Sequence, residues 1–82
     1  MKNYLARVNQ PVLEKYVRII KKIEELQGEV IGVSIGWLDR ERADVHMEIF
    51  RQAGLGGPSA DEDERDACQD QLDRYVKRGL ER

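Results

Sequence analysis

Ser34, Asp44, His46 and Glu48 supply a hydroxyl, an imidazole and two carboxylates, the residue types of an activated nucleophile. Asp44, His46 and Glu48 alternate along the chain, so in an extended strand all three share one face, and a hairpin partner strand carries Ser34 or its neighbours across from His46. A nucleophile also needs a pocket and donors for the developing oxyanion, and a two-stranded ribbon offers little concavity. A small hydrolase around Ser34 and His46 is therefore the weakest functional expectation, and no residue is assigned as catalytic.

Two rows of charge have the spacing of helix faces. Asp63, Asp66, Asp70 and Asp73 recur at three to four residues and line one side of a helix. Such a row could occupy a basic groove on a partner, including a groove that otherwise holds nucleic acid. Lys15, Arg18 and Lys22 form a basic counterpart that could contact phosphates. The ordinary alternative for both is a solvated face with i,i+4 ion pairs. Gly54-Leu55-Gly56-Gly57-Pro58-Ser59 has the outline of a phosphate loop, but it lacks the lysine, and Asp61-Glu62-Asp63-Glu64 behind it would repel an anion. It is expected to be a connector.

The lone Cys68 and lone His46 exclude an internal disulfide and a zinc site, and nothing calls for a metal or cofactor. No apolar run approaches the roughly 20 residues needed to span a bilayer, and Met1-Lys2-Asn3-Tyr4 lacks the apolar core of a signal peptide, so a reducing, cytoplasmic location is expected. The net charge of −2 is unevenly spread: the first 27 residues carry six basic and three acidic side chains, the last 23 carry five and eight. Overall acidity disfavours a generic nucleic-acid coat.

These groups have to be positioned by elements legible from periodicity. Over 9–27, Val12, Tyr16, Ile19, Ile20, Ile23 and Leu26 fall at helical steps behind Pro11, and Gly28 follows as a stop. Residues 3–8 fit either a short edge strand or a leading helical turn. Over 29–51, Ile31, Val33, Ile35 and Trp37, then Val45, Met47 and Ile49, alternate with small or polar residues and predict a β-hairpin turning at Asp39-Arg40-Glu41-Arg42. Residues 52–59 form a loop. A helix over 60–80 is expected to start on a Ser59–Glu62 capping box, to bury Cys68, Leu72, Tyr75 and Val76, and to close on a left-handed Gly79.

The expected fold is α+β, helix–β-hairpin–helix (αββα) in a single domain, residues 1–82. Tyr16, Ile20 and Ile23 would pack on Val33, Ile35 and Met47, with Leu72 joining them and Trp37 buried in the core or at an interface. A two-stranded ribbon is marginal alone, so its edges point to a homodimer with Val30, Leu38, His46 and Phe50 at the interface. The function that follows is a non-enzymatic protein-binding or assembly module. In size and charge it resembles the small acidic inhibitors or adaptors of phages and mobile elements. The alternative is a nucleic-acid accessory protein using Lys15, Arg18 and Lys22.

Overall fold

Pro11 follows Asn9 and Gln10, and its missing N–H sits where a helix has no acceptor to offer. In the computed structural model, which describes residues 2–26 and 32–81 (without the side chains of 32–35), helix α1 spans Gln10–Leu26. Its first turn is anchored by Val12 N–H and Leu13 N–H donating to Asn9 O at 3.0 and 3.2 Å. Leu13, Tyr16 and Ile19 are buried, with Val12, Ile20 and Ile23 at the margin. The expected stop at Gly28 lies outside the described residues.

The expected hairpin is not found: helix α2 spans Gly32–Gln52, and no strand occurs among the described residues. The fold is all-α, not α+β. The physical reason lies in the centre of the segment. Asp39-Arg40-Glu41-Arg42 contains neither glycine nor asparagine to reverse a chain, and Arg and Glu are good helix formers. Apolar positions also satisfy the helical period once Met47 is removed from the set. Val45, Ile49 and Ala53 are buried at four-residue steps, whereas Met47 is 69% exposed. Trp37, expected in the core or at an interface, is 78% exposed, which rules out the core. Val30 and Ile31 lie outside the described residues, as do the side chains of Val33 and Ile35.

α2 ends in a Schellman motif. Leu55 N–H donates to Phe50 O at 2.8 Å, Gly54 N–H donates to Arg51 O at 3.0 Å, and Gly54 takes φ +84° between them. Leu55 then folds back into the core. Residues 53–61 cross to helix α3, Glu62–Leu80. Its cap is Asp61, whose Oδ1 accepts from Asp63 N–H at 3.1 Å, rather than Ser59, which is exposed in the preceding turn. Glu62, Asp63 and Glu64 place negative charge on the positive end of the helix dipole. Cys68 and Leu72 are fully buried.

Paired contacts fix the directions. Asn9 N–H reaches Gln52 Oε1 at 2.8 Å and Lys15 reaches Glu41 at 3.7 Å, so α1 and α2 run antiparallel. Gln10 Nε2 donates to Tyr75 Oη at 2.7 Å and Gly79 packs on Val17, so α3 runs parallel to α1. Gly79 does not take a left-handed φ, and its role is this close approach. Residues 3–8 form a 3₁₀ turn, Tyr4–Arg7, held by the Gln71 carboxamide: Oε1 accepts from Tyr4 N–H at 2.9 Å and Nε2 donates to Lys2 O at 2.6 Å.

Candidate functional site

Helical geometry separates the residues that the hairpin would have brought together. Ser34 and His46 stand on the same helix, twelve residues and about 18 Å apart along its axis. Asp44 and Glu48 lie on one side of α2, and His46 turns away from both, because alternate residues of a helix diverge by about 200°. His46 is half-buried at the junction of the three helices. Its Nε2 lies 2.5 Å from Gln69 Oε1, and Gln69 Nε2 donates to Asp73 Oδ1 at 2.8 Å. The ring stacks on Phe50 at 4.6 Å and sits 6.1 Å from the Tyr16 ring. These contacts tie α2 to α1 and α3 and place His46 and Phe50 inside the monomer's own packing.

Leu38, the third of the expected interface residues, is also half-buried in this chain. It lines a shallow groove of about 260 Å³ between α1 and α2 with Lys15, Arg18, Ile19, Lys22 and Glu41. Lys15, Arg18 and Lys22 do share one exposed edge, and Lys15 there reaches Glu41. Asp63, Asp66, Asp70 and Asp73 are all exposed on one side of α3. Two of them are engaged locally, Asp70 with Arg74 at 2.9 Å and Asp73 with Gln69.

The surface that sequence reasoning missed is the outward side of α2. Trp37, Arg40, Asp44 and Met47 follow one another at steps of three, four and three residues, within about 80° of arc and opposite the Val45–Ile49–Ala53 side. All four are exposed. The signal was available in that spacing, but the alternation of Val45, Met47 and Ile49 masked it. Arg51 extends the stripe, and its guanidinium is paired with Glu48. Hydrogen bonds from Arg51, and then from Gln52, hold the Glu48 carboxyl down at about 2.

The C-terminal half of the stripe borders a groove of about 620 Å³. Met47, Phe50 and Leu55 give it an apolar floor, and Asp44, Glu48, Arg51 and Arg65 give it a charged rim. Arg65 is pinned by Nη2 donating to Gly57 O at 2.8 Å, and its Nε is buried with no acceptor among the described residues. The groove mixes apolar depth with charge of both signs, as the core and rim of protein interfaces do. Among the described residues no group of three His, Cys, Asp or Glu stands ready to hold a metal ion, and no helix is long and apolar enough to cross a membrane. Cys68 is fully buried, and desolvation raises its thiol pKa, which keeps it from reacting as a thiolate.

No protein-family model, curated protein or solved structure matches the chain.

Proposed function

We propose that the chain is a non-enzymatic protein-binding module and that the outward face of α2 is its docking surface. The observation that carries this reading is the placement of Trp37 and Met47, 78% and 69% exposed, on one stripe of a helix whose opposite side already fills the core. Single exposed apolar residues are ordinary. Here the chain's only tryptophan and a methionine stand on one stripe whose C-terminal half borders an apolar-floored groove. Trp, Met and Arg are the residue types enriched where proteins meet, and all three occur on this face. The separation of Ser34 from His46 along α2, and the engagement of His46 by Gln69 and Phe50, support a role without catalysis.

The test is site-specific photo-crosslinking of the full chain in the cells that produce it. A photoreactive amino acid replaces Trp37 in one variant and Lys21, exposed on α1, in another. Adducts of defined mass from position 37 and none from position 21 are the expected result. No adduct from position 37, or the same adducts from both, would refute the docking surface.

A further inference from the structure

The α2 stripe is self-complementary. Its steps of three, four and three residues read the same in both directions, so a second helix laid antiparallel, with the two-fold axis level with residue 42, meets it in register. Trp37 then faces Met47 of the second copy, and Arg40 faces Asp44 of the second copy. Each contact occurs twice, as a two-fold interface requires. Apolar residues meet apolar ones, and cation meets anion, with no like-charge pair among these four contacts. Within the chain this charge goes unused: among the described residues neither Arg40 nor Asp44 makes an ion pair. The order arginine-then-aspartate is also the poorer orientation for an i,i+4 pair on one helix.

The same register brings Trp37 of the second copy to the groove beside Met47. At about 620 Å³ the groove has room for an indole over Phe50 and Leu55, with Arg51 and Arg65 at its rim to meet the ring face. Two such insertions, one per chain, would make a buried aromatic anchor at each end of the interface.

Resting on the proposed docking surface, we infer that its occupant is a second copy of this chain, held by antiparallel α2–α2 pairing with Trp37 seated beside Met47 and Arg40 paired with Asp44. Sedimentation equilibrium of the purified chain, from low to high micromolar concentration, should show the mass rising to twice the monomer's. Trp37 is the only tryptophan, so its fluorescence should shift to shorter wavelength over the same range. Arg40→Asp or Asp44→Arg alone should weaken association on the order of a hundredfold, because each swap sets like charges opposite one another twice. An equimolar mixture of the two variants should associate again, since every crossed pair is then opposite in charge. Four residues on an exposed face leave the core untouched, and circular dichroism verifies that the helices persist in each variant.

A wild-type chain that stays monomeric at high micromolar concentration overturns the inference. So does dimerisation with unchanged Trp37 emission, or two charge-swapped variants that fail to pair when mixed. If the chain is monomeric yet position 37 crosslinks to a different protein in cells, the docking surface stands and the self-association falls. If neither occurs, both fall.

Discussion

Gly79 is a point of close approach between α1 and α3, and replacing it with alanine tests the packing of these two helices. A Cβ on Gly79 would lie 2.7 Å from Val17 Cγ1 and 3.3 Å from Cγ2. Ordinary contact between such carbons begins near 3.5 Å, so the helices must part by most of an ångström or Val17 must leave its rotamer. Valine is stiff at χ1 in a helix, which closes the easier route. Overpacking of this kind costs about 1–3 kcal/mol. Alanine returns up to about 1 kcal/mol of helix propensity, less near the end of α3, where the helix frays. The net expectation is a loss of about 1–2 kcal/mol, or a fall in Tm of roughly 5–15 °C for a domain of this size.

The assay is urea unfolding followed by circular dichroism, at one fixed chain concentration so that any self-association contributes equally to every variant. The decisive comparison is the same substitution in a Val17→Ala background. With the valine methyls gone the overlap disappears, and Gly79→Ala should then be neutral or stabilising by up to about 1 kcal/mol. An equal loss in both backgrounds would place the cost elsewhere than at Val17. A stabilising single substitution would refute the close approach.

Two further outcomes follow from the core and from the α2 surface. Ile49, fully buried at the centre of the packing, should lose about 2–5 kcal/mol on Ile49→Ala in the same urea assay, and a loss below about 0.5 kcal/mol would put it on the surface. The Glu48 carboxyl should titrate near 2 by NMR and return toward the usual glutamate range in Arg51→Ala, which removes the largest cause of its depression. Because the folded-state value is the lower one, the stabilisation from this pair is present above about 4.5 and lost as the pH falls from there through about 2. An ordinary Glu48 titration in the wild-type chain would show that the pairing with Arg51 does not persist in solution.

Periodicity exposed two of the three helices for a simple reason: each has one apolar stripe. In α1, Tyr16, Ile19 and Ile23 repeat at three and four, and in α3, Cys68, Leu72 and Tyr75 repeat at four and three, so a single sequence carries the pattern. The end signals were less legible. Ser59 and Asp61 are both acceptable caps, and only the path of the backbone decides which side chain reaches an N–H. Gly79 looks like a helix stop in sequence because glycine permits a left-handed φ, whereas what the fold uses is its missing Cβ. In α2 the missed clue was Ala53-Gly54-Leu55. A glycine followed by an apolar residue, after a run free of proline, is the ordinary close of a helix, and Gly54 at φ +84° performs that role. As for the candidate site, the two charged rows lay where helical spacing placed them, whereas the Ser34–His46 pairing depended on a chain reversal that α2 does not make.

The misreading of α2 and its proposed role share one cause. Val45 and Ile49 belong to the buried side, and Met47 belongs to the outward stripe with Trp37. Superimposed on one line of text, two stripes on opposite sides of a helix produce apolar residues at every second position, which is the signature of a strand. A helix that packs against one neighbour has no reason to carry the second stripe. A helix with apolar positions on both sides is built to be covered on both. α1 and α3 cover the inward side of α2, and the proposed docking surface assigns the second covering to the stripe from Trp37 to Met47. In the proposed interface Arg40 and Asp44 would set register rather than stability within the chain, since charges that make no ion pair among the described residues cost little while exposed and discriminate strongly once a partner presents the opposite sign.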